Sequence, residues 1–330
     1  MGISTKEGLQ RIKFSSVDFI GIEEIEKELN HSLEDAKDVM KEMCQHILSA
    51  GGKRVRPLLV LNSGLVFSGQ TSQLLQAATA AELIHMASLV HDDIIDNSDL
   101  RRNKPSINKV WGTHFAVLCG DYLFSKAFGI LSRNRLIASM DLMVEAIQNM
   151  CQGEIIQAGE RFNHEISIDR YYEIIGMKTA IFLQCCCKSG AAVSEANSFQ
   201  LQMIGEYGLN LGYAFQIIDD ILDFCGRVET TGKPKCEDVR QGNITLPLIL
   251  LMKDPAYSAW VTETIHNREF SEETLAEVIF VLNDKGIIKE CFHIAAKHIL
   301  KAKECLTLLP QNAYTQLLDE LADMLQARVN

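Results

Sequence analysis

Proline is scarce in this chain. There are six among 330 residues, and none falls between positions 106 and 233. Proline breaks helix interiors, so that stretch admits several long helices. Val-Ile-Thr runs bounded by turn residues are equally rare, which leaves little room for sheet. Positive charge is also short: 32 Lys and Arg against 43 Asp and Glu give a net charge of −11. That excludes a non-specific nucleic-acid binder, which carries a basic face. It does not exclude anionic substrates, which need only a local basic patch or bound cations. No apolar run approaches the ~18 residues that span a bilayer, so no transmembrane segment is expected. Paired C-x-x-C spacing is missing from the ten cysteines, and Cys185, Cys186 and Cys187 are consecutive. They read as reduced, mostly buried thiols of a cytoplasmic protein. The first twenty residues lack the apolar core of a cleaved leader, so none is expected.

What is present is helical periodicity. Apolar residues recur at three and four: Leu118, Tyr122, Leu123, Phe128, Ile130 and Leu131, then Met143, Ile147, Met150, Ile155 and Ile156. The reading is a single all-α domain over residues 1–330, with about ten or more helices. Breaks are expected at Ser49–Gly52, Arg102–Pro105, Asn163–His164 and Gly226–Asn243. The last is a long loop, and structureless loops of that length are often functional.

Two acidic clusters stand out. Asp92, Asp93 and Asp96 follow an apolar, small-residue helix that includes Ala80, Ala81, Ala87 and Val90. Residues four apart project from one helix face, so Asp92 and Asp96 present two carboxylates together. Like charges at that spacing destabilise a bare helix, and hard oxygen ligands suit Mg2+, which typically takes one or two carboxylates plus phosphate oxygens. The bland alternative is a solvated acidic helix end. Arg101 and Arg102 come directly afterwards, and arginine forks match phosphate oxygens. The pattern repeats at Asp219, Asp220 and Asp223, after the apolar helix Leu209–Ile218. Basic residues follow again: Arg227, Lys233, Lys235 and Arg240. Carboxylates of two facing helices would make a cleft for several Mg2+ ions and a diphosphate.

A third feature is Gly51-Gly52-Lys53-Arg54-Val55-Arg56-Pro57. Glycines let the backbone turn sharply, and three cations follow within four residues. It is not a Walker loop, but free amides and cations at a helix start suit an anion. Two anion sites with two acidic clusters point to two diphosphate substrates.

With these strings in order, the sequence resembles the trans-isoprenyl diphosphate synthases (polyprenyl synthetase family), of the medium- or long-chain type. Gly120-Asp121-Tyr122-Leu123, Lys178-Thr179, Phe215 to Asp223, Gly232-Lys233-Pro234, Asp238-Val239-Arg240 and Thr245-Leu246-Pro247 complete the match, over about residues 40 to 255. The resemblance implies an isoprenoid synthase type I fold: antiparallel helices round a deep central cavity, usually a homodimer. It implies two or three Mg2+ ions per active site, held by Asp92, Asp93 and Asp96 and by Asp219, Asp220 and Asp223. It implies that Lys53, Arg56, His85 and Arg102 hold isopentenyl diphosphate, that Arg101, Lys178, Lys233 and Gln216 contact the allylic diphosphate, and that Thr179 lines the reacting region. Asp92, Asp96, Asp219 and Lys178 are then the residues of the chemistry. Release of a long apolar product allows peripheral membrane contact.

The sequence departs from the family pattern at Asn103, where a glycine is usual, and at Asn243, where a lysine is usual. In the family a bulky residue four or five positions before the first cluster shortens the product. Here those positions hold Ser88 and Ala87, with Ile84, Ala81, Ala80 and Ala77 further back. A small-residue stripe implies a C20 or longer product, of the kind that supplies quinone side chains. The alternatives are a geranylgeranyl or farnesyl diphosphate synthase, and a non-catalytic subunit of a heteromeric synthase. Such a subunit typically loses cluster aspartates, and this chain keeps all six. A terpene cyclase normally carries a different second acidic element and lacks the Gly-Gly-Lys-Arg site.

Overall fold

A computed structural model describes residues 21–225 and 236–327. The order is α1 (Ile22–Ser32), α2 (Asp38–Ser49), α3 (Val55–Leu65) and α4 (Thr71–Ile95). A hairpin follows, β1 (Leu100–Arg101) against β2 (Lys104–Pro105), then α5 (Ile107–Trp111), α6 (Thr113–Arg133) and α7 (Ile137–Gly159). Next, α8 (Ile168–Ile175) runs through a π-helical turn, Gly176–Ala180, into α9 (Ile181–Val193), and α10 (Ser198–Cys225) comes after it. The remainder is α11 (Glu237–Gln241), α12 (Leu246–Met252), α13 (Ser258–Asn267), α14 (Glu272–Asp284), α15 (Ile287–Thr307) and α16 (Ala313–Gln326). Among the described residues the two-residue strands are the only sheet, so the fold is all-α as the periodicity implied.

The described chain divides into two compact units. The first takes residues up to 143 with 186–201 and 309–318; the second takes 144–185, 202–308 and those from 319 on. In the first, α4 is the central helix, with α6 and α3 as its main neighbours. Ala77, Ala78, Ala80, Ala81 and Ala87 are fully covered, as are Ala116, Cys119, Leu123 and Ala127 of α6. Small side chains on both helices allow close approach. The larger Leu83 and Ile84 are also fully buried, and each such side chain contributes about 1.5–3 kcal/mol of transfer free energy. In the second unit α10 buries Tyr207, Ala214, Ile217, Ile218, Ile221 and Phe224. A Cβ at Gly212 would stand 2.4 Å from Cα of Ala180, so α10 meets the π-turn backbone to backbone.

Three expectations change. The apolar repeat ran on through Leu118 and Ile155, yet these are 46% and 73% exposed; periodicity marks an apolar position without saying what covers it. The expected structureless stretch Gly226–Asn243 contains the helix α11, while residues 226–235 lie outside the described part. Its first turn is capped by the Asp223 carboxylate, which accepts the backbone N–H groups of Glu237 at 3.0 Å and Asp238 at 3.3 Å. Finally, α6 is long and apolar enough to cross a membrane by length and composition. It also carries Lys126, whose ammonium pairs with Asp35, and its covered face packs on α4, with 39% of the apolar window buried.

Candidate active site

The first unit assembles the glycine-lysine-arginine segment, the end of α4 and the hairpin. Between α2 and α3 the chain turns through Gly51 (φ +67°) and Arg54 (φ +50°). Arg54 is 3% exposed; its guanidinium donates to Glu26 Oε1 at 2.8 Å and to Glu82 Oε1 at 2.7 Å. It is therefore an internal strut tying α1 and α4 to this turn. Of its neighbours, Lys53 is exposed and Arg56 half-buried. Arg56 Nη1 lies 3.0 Å from His85 Nε2. A guanidinium can only donate, so that imidazole nitrogen accepts and Nδ1 carries the proton. Burial, reinforced by Arg56, Arg102, Arg101 and Arg54, holds His85 well below the ordinary imidazole value, so the ring is neutral.

The hairpin turn is Arg102-Asn103, both left-handed, with φ of +51° and +62°. Two consecutive positive φ values define a type I′ turn, where asparagine and glycine are favoured. Asn103 thus does the conformational work of the usual glycine. Arg102 has no such excuse, and a non-glycine residue held there costs about 1–3 kcal/mol, a strain that clusters at functional sites. A Cβ on Gly52 would stand 2.6 Å from Arg102 Nη1; the guanidinium lies flat against that glycine. The walls of a pocket bring together His85, Arg54, Arg101, Arg102, Lys104 and Asp93. Sequence reasoning missed Lys104 and His46, which also lines it. Lys104 Nζ donates to Ser49 O at 2.7 Å, and His46 Nε2 meets Pro105 O at 2.7 Å, so both fasten the hairpin to the end of α2.

The three aspartates of the first cluster do not share one environment. Asp93 is 4% exposed and accepts from Arg101 Nε at 2.9 Å, with Nη2 at 2.5 Å on the same oxygen. Asp92 and Asp96 are partly exposed, and the N–H of Asp96 bonds to the Asp92 carbonyl at 2.9 Å. They stand at the C-terminal end of α4, the negative end of the helix dipole, with no basic residue in its last turn. Carboxylates there fit a hard divalent cation, which would offset both the mutual repulsion and the dipole.

The second unit carries the second cluster on α10. Asp219 is exposed, Asp220 is 3% exposed, and Asp223 caps α11 as described. Asp220 accepts from the Tyr171 hydroxyl at 2.6 Å and from Gln216 Nε2 at 2.9 Å. Burial, with Asp238 nearby, pushes its pKa well above the usual carboxylate range. Gln216 in turn accepts from Thr179 Oγ1 at 2.8 Å. Thr179 and Lys178 sit in the π-turn, a feature that often marks functional sites and has no signature in the sequence. Lys178 Nζ pairs with Glu154 Oε2 at 2.5 Å and donates to Gln157. Among the basic residues after this cluster, Arg240 is committed elsewhere, to Phe270 O at 3.0 Å and Glu272 at 2.6 Å. Arg227, Lys233 and Lys235 lie outside the described residues.

Among the described residues no three His, Cys, Asp or Glu side chains converge into a preformed metal cage. Mg2+ does not demand one, since it keeps waters and takes substrate phosphates beside one or two carboxylates.

An all-α chain with exposed carboxylates at two helix ends and a basic pocket beside one of them has the parts of a diphosphate-processing enzyme. Residues 37–282 match the polyprenyl synthetase family, and the chain belongs to that family. It is 34% identical over 290 residues to the heptaprenyl diphosphate synthase component 2 of Bacillus subtilis, covering 88% of this chain and 83% of that one. Among solved structures, the heptaprenyl diphosphate synthase of Staphylococcus aureus superposes with a TM-score of 0.86 at 34% identity, covering 94% of this chain and 98% of the other. A polyprenyl synthase of Caulobacter crescentus, solved with calcium and isoprenyl diphosphate, gives a TM-score of 0.87 at 32% identity, covering 93% and 96%.

Proposed function

We propose that this protein extends an allylic diphosphate with isopentenyl diphosphate to give a medium- or long-chain all-trans polyprenyl diphosphate. The carrying observation is the basic-walled pocket of the first unit beside the carboxylates that end α4. Bound Mg2+ would supply neutralisation of the charge that grows on the departing diphosphate. Asp92 and Asp96 would offer carboxylates for Mg2+ on α4, and Asp219 would offer one on α10. Asp93, Asp220 and Asp223, also expected as ligands, serve the clusters from behind: the first through Arg101, the second through Tyr171 and Gln216, the third through α11.

Lys53, Arg56 and Arg102 hold the diphosphate of isopentenyl diphosphate, and neutral His85 donates from Nδ1. Arg101, Lys178 and Gln216 serve the allylic diphosphate, with Lys233 proposed from sequence alone. The C–O bond of the allylic substrate breaks, and the electron pair leaves with diphosphate. The isopentenyl double bond attacks the resulting allylic cation, and the adjacent methylene loses its proton to the expelled diphosphate. Holding both substrates in reacting geometry is the largest task of the protein. His91 plays no part as base: its Nε2 faces the Val117 carbonyl at 3.2 Å.

Product length is set along α4. Ser88 is one turn before Asp92 on the same face and is partly exposed, whereas Ala87 is fully covered. Small side chains on this helix support a product of C20 or longer. A geranylgeranyl diphosphate synthase is the second reading, and it shares every other feature. Exposed Phe115, Val117 and Leu118 on α6 support association with a second copy. A non-catalytic subunit of a heteromeric synthase is the alternative, which the name of the Bacillus relative raises. None of the ten cysteines is in a disulfide, which supports a reducing, cytoplasmic setting. Purified protein given labelled isopentenyl diphosphate, an allylic primer and Mg2+ tests the proposal; no incorporation defeats it.

A further inference from the structure

We infer that Tyr171 is a positioning residue for the allylic substrate, because its hydroxyl anchors a hydrogen-bonded ring, closed through the backbone of α8 and the π-turn, that sets the turn bearing Lys178 and Thr179. The inference rests on the prenyl-transfer reading of the same site. Its members are on the page: Tyr171 donates to one oxygen of Asp220, Gln216 donates to the other, and Thr179 donates to Gln216. Tyr171 in α8 and Thr179 in the π-turn lie eight residues apart on one continuous helical segment. Asp220 and Gln216 are four apart on α10. The segment is therefore stapled to α10 at two points. Just beyond the Thr179 staple, Ala180 approaches α10 closely enough that Gly212 has no room for a side chain.

A π-turn is an uncommon conformation that needs support from its surroundings. Here the support comes from donors that match their acceptors one to one. Tyr171 is 2% exposed and Asp220 3% exposed, so no solvent competes for the bond between them. Without the Tyr171 hydroxyl, Asp220 is held only by the Gln216 amide and can shift, and the Gln216 oxygen that accepts from Thr179 shifts with it. The ammonium of Lys178, one residue away, is then no longer aimed. Tyr171 never touches substrate in this account. Its neighbour Tyr172 provides the contrast: its ring packs against Tyr171, but its hydroxyl meets His298 at 3.2 Å and takes no part in the ring of bonds.

The test is Tyr171→Phe in the full-length enzyme, with Tyr172→Phe as control. Loss of one buried hydrogen bond that orders a substrate group is expected to raise the allylic KM about three- to tenfold. The isopentenyl KM, set in the other unit, is expected to stay within about twofold of wild type, and Tyr172→Phe to leave both constants unchanged. Calorimetric binding of a non-hydrolysable allylic thiodiphosphate with Mg2+ is expected to weaken by the same factor in Tyr171→Phe only. Equal changes in both KM values, or none, would overturn the inference, since a purely structural hydroxyl lowers the melting temperature without separating the substrates. If Tyr171→Phe does not fold, Thr179→Val against Thr179→Ser reads the opposite end of the ring. The allylic KM must then rise for valine alone, and equal values for the two overturn the inference. A wild-type enzyme that fails to elongate any primer defeats the functional reading instead.

Discussion

Replacing Gly52 by alanine probes the isopentenyl half of the site through a single methyl group. The backbone at Gly52 is not in the left-handed region, so alanine is conformationally acceptable there. The added Cβ would stand 2.6 Å from Arg102 Nη1 and 3.2 Å from both Cζ and Nη2, well inside carbon–nitrogen contact. The guanidinium is the mobile end of a long side chain, so it moves rather than the fold. Moving it removes a charge-assisted hydrogen bond to a diphosphate, worth about 1.5–3 kcal/mol. At 1.4 kcal/mol per decade this raises the isopentenyl KM about 10- to 100-fold. The allylic KM should change little, and the melting temperature of the free protein should stay within about 2 °C of wild type. Steady-state kinetics with each substrate varied in turn, beside a thermal melt, decides it. An unchanged isopentenyl KM would refute the placement of Arg102 on that diphosphate.

Further substitutions separate roles that look alike in sequence. Asp92→Asn and Asp96→Asn should cut kcat by about 10²–10³-fold with little loss of stability, as removal of groups acting on developing charge does. Asp93→Asn should instead destabilise by about 1–3 kcal/mol in chemical denaturation, because it weakens the charge-assisted bonds from the partly exposed Arg101 to the buried carboxylate. Ser88→Phe should shorten the product on reversed-phase thin-layer chromatography, whereas Ala87→Phe should chiefly destabilise by overpacking, about 1–3 kcal/mol. His298 supplies a pH test. Burial, with Lys301 nearby, pushes its pKa down to about 4, against about 6.5 in an unfolded chain. The unfolded state therefore binds the extra proton, and stability falls as pH drops from 6.5 toward 4. Urea titrations across that window should show the slope, and His298→Gln should flatten it.

The aspartate clusters and the glycine-lysine-arginine turn were legible because spacing along one helix or turn decides what they present together. Their division of labour was not. Asp93 and Asp220 resemble their neighbours in sequence, but their partners, Arg101 and Tyr171, are 8 and 49 residues away. Arg54 shows the same limit: it sits between two substrate cations, yet Glu26 and Glu82, each 28 residues distant, claim it. The π-turn left no trace because no residue type demands it; tertiary packing at Gly212 and the Asp220 bonds supply what the local sequence does not. Helix α11 was hidden for a similar reason, since its cap comes from Asp223 on another helix. Asn103, by contrast, takes the left-handed turn conformation that asparagine shares with the usual glycine.

The central claim is that this chain joins two diphosphate substrates at carboxylate-held magnesium. Its most direct measurement is incubation of the purified protein with labelled isopentenyl diphosphate and an allylic primer, with and without Mg2+. The account predicts Mg2+-dependent incorporation into a prenyl diphosphate of C20 or longer, abolished in Asp92→Asn. No incorporation at saturating Mg2+, or incorporation unaffected by Asp92→Asn, would contradict it.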